Sequence, residues 1–232
     1  MDIILIPGMW LDGSAWEQVV PLLERAGHRA HPVTLPGMES KDADRTKVTL
    51  DEWVSAVTRV IDDADPAAKV VLVGHSAGSA VAHAALDARA DRVAHIFYVG
   101  GFPSADGHHL VDGYEAEGGE IPLPDWSGFD DADIADLDEA ARAEFRARAI
   151  PAPELLLRDQ VRLTDDRRHD VPATEVCTEY TAKALRDWMN EDPNALTEFR
   201  TARHLEYVDL HSGHWPQFTR PEDLATVILD RL

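Results

Sequence analysis

Cysteine is almost absent from this chain. Its 232 residues include one, Cys177, so no internal disulfide can form and the fold must rest on packing. Positive charge is also in deficit: 22 Lys and Arg face 43 Asp and Glu, for a formal net charge of −21. A surface of that sign repels phosphate backbones and anionic bilayers, which excludes nucleic acid and membrane as expected partners. No apolar run is long enough to span a bilayer, and the opening MDIILIPG has no basic segment ahead of its apolar residues. Neither a membrane span nor a signal peptide is expected, and the expected setting is the cytoplasm. No internal repeat is visible. No group of Cys, His, Asp and Glu has the spacing of a metal site; the pair His108-His109 reads as surface, and no metal or organic cofactor is expected.

What is present fits one domain with a real core: 44% of residues are hydrophobic and 28% charged. Short apolar runs at 2–6, 69–73 and 93–99 read as buried strands, and 28–33, 173–178 and 204–210 read as further strands. Between them, helical spacing appears at 14–26, 50–64, 77–88, 182–189 and 221–232. Near-continuous Val/Ile/Leu strands alternating with helices predict an α/β fold, a mostly parallel central sheet with helices on both faces. The alternation stops after residue 103. Residues 104–141 hold 12 acidic side chains and no Lys or Arg, and read as a solvated outer face. Helices are predicted at 132–149 and 153–162, with no strand signal. Residues 104–171 therefore read as a helical cap insertion, and 1–103 with 172–232 as the core.

The strongest motif is Gly74-His75-Ser76-Ala77-Gly78, a G-x-S-x-G directly after a buried strand and before a helix. That context builds a turn so tight that its central residue is strained, which exposes Ser76 Oγ above the sheet. The glycines remove side chains that would strike the neighbouring strand and helix. A serine hydroxyl is a weak nucleophile and needs a positioned base. Of the 11 histidines, His214 sits in the loop after the last predicted strand, in His211-Ser212-Gly213-His214-Trp215, and is the expected base. His75, beside the serine, reads as structural, and Cys177 reads as core. Charge developing on a carbonyl oxygen calls for two backbone N–H groups. Ala77 supplies one, and Met9, in the loop Pro7-Gly8-Met9-Trp10 after the first strand, supplies the other. Trp10 is a candidate wall of the acyl pocket.

From the strand leading into PGMWLDGSAW, through GHSAG, to SGHWPQFTRPEDLA, the chain resembles the α/β-hydrolase superfamily, and more narrowly its small esterase and hydroxynitrile-lyase branch. The resemblance implies a helical cap after the strand at 93–99 and the order serine, acid, histidine. The chain departs from the pattern in three ways. Pro7-Gly8 replaces the family's His-Gly. Gly8 and Trp215 stand where the lyases carry a threonine and a lysine, which removes the groups that handle cyanide. Tyr180 stands at the expected aspartate, so the acid is Glu179, one residue earlier, or Asp106, or is missing and leaves a dyad.

The leading expectation is a serine hydrolase of a small ester, lactone or thioester, working through an acyl-enzyme. Trp126, Phe129, Phe145 and Leu155, Leu156 and Leu157 are expected to roof the site, which favours a small-molecule substrate that is apolar or uncharged. Two alternatives use the same pocket: a ligand-binding protein that does not turn over, and cofactor-free lyase or oxygenase chemistry.

Overall fold

The computed structural model describes residues 1–232. Its strands, in chain order, are β1 (Asp2–Ile6), β2 (Arg29–Pro32), β3 (Val70–His75), β4 (Val93–Val99), β5 (Glu120–Ile121), β6 (Ala152–Pro153), β7 (Ala173–Cys177) and β8 (Leu205–Asp209). Six of them form one parallel sheet in the order β2-β1-β3-β4-β7-β8. The α-helices are α1 (Val20–Arg25), α2 (Leu50–Asp63), α3 (Ala77–Ala88), α4 (Glu139–Arg148), α5 (Ala182–Glu191), α6 (Thr197–Thr201), α7 (Pro216–Thr219) and α8 (Pro221–Leu229).

The predicted α/β architecture, a mostly parallel sheet with helices on both faces, is what the structure has. Every residue of β1, β3 and β7 is buried, as apolar strands covered on both faces must be. Alternate side chains feed two cores. Ile4, Ile6, Val70 and Leu72 join α2, α3 and the cap, while Ile3, Leu5, Val71 and Val73 join Leu23 of α1 and Leu224 and Ile228 of α8. The edges are short and polar: β2 ends on Pro32 and pairs Arg29 and His31 with Asp2, which limits edge-to-edge association. The strand order reverses between β1 and β3. An open sheet of this kind leaves a crevice at that reversal, beyond the carboxyl ends of the strands.

Several expected boundaries shift for local reasons. Residues 14–26 are not one helix: a short 3-10 turn (Gly13–Trp16) on the Asp12 carboxylate precedes α1, whose start carries Pro21. In the insertion, the helix expected at 132–149 begins at Glu139, where the Asp138 side chain accepts from Ala141 N–H. The helix expected at 153–162 is only a 3-10 turn (Glu154–Leu157). The insertion also contains strand structure, since β5 and β6 pair antiparallel; two-residue strands carry no periodicity to read. The acidic run is not solvated throughout. Ile134 and Leu137 are buried, and the insertion shares one core with the sheet through Leu110, Ile121, Phe145, Ile150 and Leu156. No helix is long and apolar enough to cross a membrane.

Candidate active site

Ser76 sits at the turn between β3 and α3 with φ 52 and ψ −128, a left-handed region few non-glycine residues occupy. The neighbours explain why the turn holds. A Cβ on Gly74 would meet Gly78 O at 2.5 Å and Ser79 Cα at 2.6 Å, and one on Gly78 would strike the Pro7 and Ile6 carbonyls. Ser76 N–H donates to Val99 O at 2.9 Å, and Ser79 Oγ donates to Gly74 O at 2.8 Å. The hydroxyl is thereby fixed at the carboxyl end of β3, over the first turn of α3, whose N–H groups lack helical partners.

The loop after β8 brings His214 to it. Ser76 Oγ–H donates to His214 Nε2 at 2.9 Å, and His214 Nδ1–H donates to Glu179 Oε1 at 2.8 Å. Burial would raise the Glu179 carboxyl, but the hydrogen bond and charge of His214, together with Thr178, outweigh it and hold the group below its usual range. Asp106 is elsewhere, accepting from Leu163 N–H at 2.9 Å. Tyr180 turns away and donates to Glu175 Oε1 at 2.5 Å. Glu175 is fully buried, and burial pushes its carboxyl well above the usual range.

His75 supports His214 from behind. It is fully buried, and burial, aided by the charge of His214, drives it down to about 3, so the ring is neutral. Gln217 Nε2 reaches its Nδ1 at 3.3 Å, and its Nε2–H donates to His214 O at 2.7 Å. His75 is thus structural, and what it holds is the backbone of His214. Cys177 is buried and burial pushes its thiol up, as a core residue requires. His108 is exposed, whereas His109 is half-buried against Asp159 O and Gln160.

The loop after β1 lies against Ser76: a Cβ on Gly8 would stand 2.8 Å from Ser76 Cβ. The Met9 N–H that follows makes no hydrogen bond within the chain, and Ala77 N–H opens α3. Trp10, with φ 64, is tied to the cap twice: its indole N–H donates to Ile121 O at 3.2 Å, and its carbonyl accepts from Ile150 N–H at 3.0 Å. Its ring meets Tyr114 and Phe129 edge-on. Trp126, Phe129 and Phe145 converge on Trp215, which itself packs edge-on against His214 at 4.9 Å. Each such pair adds about 0.5–1.5 kcal/mol beyond area burial, so the aromatic roof is seated firmly on the base's own loop. A hollow of about 190 Å³ opens beside it at the seam of cap and core, lined by Trp10, Leu11, Phe145, Arg148 and Phe218 but not by Ser76.

The residues not foreseen come from the cap. Asp133 O accepts from His214 N–H at 2.8 Å, and its carboxylate, Glu179 and a ring nitrogen of His214 lie within 4.8 Å of one another. These three are the only such group of metal-ligand type, and a cation there would occupy a nitrogen of the ring that already binds Ser76 and Glu179. The acidic run concealed Asp133, because nothing in its sequence marks one carboxylate among twelve.

Compared with known proteins, residues 3–227 match the family described as "Alpha/beta hydrolase family". A pyrethroid hydrolase of Sphingobium wenxiniae is 32% identical over 107 residues, 46% of this chain. A putative chloroplastic methylesterase of Arabidopsis thaliana is 26% identical over 110 residues, 47% of this chain. The matched stretches span 38% and 25% of those two proteins' lengths. Among solved structures, an extracellular alpha/beta-hydrolase from a Paenibacillus species superposes with a TM-score of 0.78 at 21% identity, covering 99% of this chain and 98% of that one.

Proposed function

The chain belongs to the alpha/beta hydrolase family, and from that premise we propose that it hydrolyses a small carboxylic ester, lactone or thioester through an acyl-enzyme. The observation that carries the reading is the continuous chain from Ser76 Oγ through His214 to the Glu179 carboxylate. Ser76 Oγ attacks the carbonyl carbon as its proton passes to His214 Nε2. Glu179 keeps the ring in the tautomer that accepts there and stabilises the imidazolium. Met9 and Ala77 N–H meet the oxyanion. Collapse of the tetrahedral adduct expels the alcohol or thiol, which takes the proton from His214. Water, deprotonated by the same ring, then releases the acid and restores Ser76.

The names of the pyrethroid hydrolase and the methylesterase support an ester as the scissile group. The aromatic roof supports an apolar or uncharged substrate. Gly8 and Trp215, without a hydroxyl or an ammonium, give no support to cyanohydrin cleavage. The pairing of Glu179 with His214 supports turnover over a non-catalytic binding protein. The one buried thiol fits a reducing compartment, and the reading keeps the cytoplasm as its setting.

The test is fluorophosphonate labelling with parallel turnover of a p-nitrophenyl acyl ester. Wild type should label and turn over, and Ser76→Ala and His214→Ala should do neither. Undiminished turnover by Ser76→Ala overturns the reading.

A further inference from the structure

We propose that Asp133, a residue of the cap, is a positioning residue for the base, holding His214 through its carbonyl and balancing through its carboxylate the charge the imidazole gains during attack. The inference rests on Ser76 and His214 acting as nucleophile and base.

The contact is close and specific. His214 N–H donates to Asp133 O at 2.8 Å. The residue before the base, Gly213, has room for no side chain: a Cβ there would lie 2.5 Å from Asp133 O and would strike Asp136 Oδ1. Cap and base loop thus meet backbone to backbone. Asp130 N–H donates to Asp133 Oδ2 at 3.1 Å, which holds the carboxylate toward the ring. The side chain is half-buried. Burial pushes its carboxyl up, the His214 charge opposes this, and Glu179 adds to it, so the three groups share one field.

The charges around the ring can be counted. Glu179 takes the Nδ1 proton in a hydrogen bond. Neutral His75 contributes no charge from behind, and Trp215 presents only its ring edge-on. Asp133 makes no hydrogen bond to the ring and acts across at most 4.8 Å. Asp136, whose carboxylate oxygens are buried without partners, lies beside Gly213. When the Ser76 proton moves to Nε2, the Oγ–carbon bond forms and the carbonyl electron pair moves to oxygen, leaving a cation on the ring. At this range Coulomb's law sets the effect of a full negative charge between about fourfold in rate at the dielectric of bulk water and a few hundredfold at that of a protein surface, and about tenfold lies within that span.

The experiment measures kcat and KM for an uncharged p-nitrophenyl ester, with the fluorophosphonate labelling rate and the thermal midpoint. Asp133→Asn should lower kcat about tenfold with KM nearly unchanged and should slow labelling by the same factor. Asp133→Glu should recover part of both, and Asp131→Asn, which removes an exposed cap charge, should behave as wild type. Wild-type kcat in Asp133→Asn overturns the proposal. So does a loss that follows the thermal midpoint and that Asp133→Glu does not rescue. A wild type that neither labels nor turns over ester overturns the nucleophile assignment itself, and this inference with it.

Discussion

Glu179 reaches His214 from one residue ahead of the position where the superfamily pattern sets an aspartate. Its extra methylene spans the difference, and the residue that holds the aspartate's place, Tyr180, is committed to buried Glu175. Replacing Glu179 with Gln leaves the volume but removes the charge and allows the wrong ring tautomer. Loss of a triad carboxylate in that way costs about 10⁴-fold in kcat at the extreme. Steady-state kinetics of Glu179→Gln should therefore show kcat down by about 10²–10⁴ with KM little changed; a kcat within threefold of wild type would make the site a dyad. The legible residues were those whose role is local. Ser76 is marked by its strand, turn and helix, His214 by its loop, and Glu179 by being the nearest carboxylate to a vacant place. The backing of the base by His75 and Asp133 was not legible, because both act on a residue more than 80 positions away in the chain.

At the scale of elements, the site depends on how closely α3 approaches the end of β1. Gly78→Ala would gain about 1 kcal/mol of helix propensity. The added Cβ, however, meets the Ile6 carbonyl at 2.7 Å and the Pro7 carbonyl closer still, both backbone, and such overpacking costs about 1–3 kcal/mol. The clash wins, and it falls on the loop that carries Met9. Calorimetry of Gly78→Ala should show a midpoint lower by several degrees, with ester turnover reduced at least tenfold; a raised midpoint with full activity would mean that α3 and β1 are not pressed together. The longer core elements were readable because 5–14 residues of apolar periodicity define them, whereas α6 and α7, five and four residues long, carry no such signal. The cap was not, because β5 and β6 are two residues each and its helix starts are set by single side chains such as Asp138.

Across the whole molecule, buried polar groups decide the response to acid more than the surface charge does. The excess of surface carboxylates repels itself, but exposed charges are screened beyond about 8 Å at physiological salt. Buried groups are not. Arg168 at the cap's return joins Asp87 of α3 and Glu198 of α6, and His83 joins Glu198 to Tyr98. Burial would raise Glu198, but its hydrogen bonds to His83, Arg168 and His169 outweigh this and hold it far below its usual range, so its contribution is present above about pH 4.3 and lost as pH falls further. His75 is driven to about 3 by burial. The unfolded chain takes up a proton near pH 6.5 that the folded chain refuses until about 3, so stability falls by about 1.4 kcal/mol for each pH unit below 6.5. Urea unfolding at pH 7.5 and 4.5 should show a loss of about 2–3 kcal/mol from this histidine, and a shallower loss in His75→Gln; equal slopes would contradict a neutral buried ring. The same architecture has a consequence for idle enzyme. Raising the cap must break the bonds of Ile150 to Trp10 and of His214 to Asp133, one beside the Gly8-Met9 loop and the other on His214 itself. Whatever lifts the lid thus also loosens the histidine beneath it.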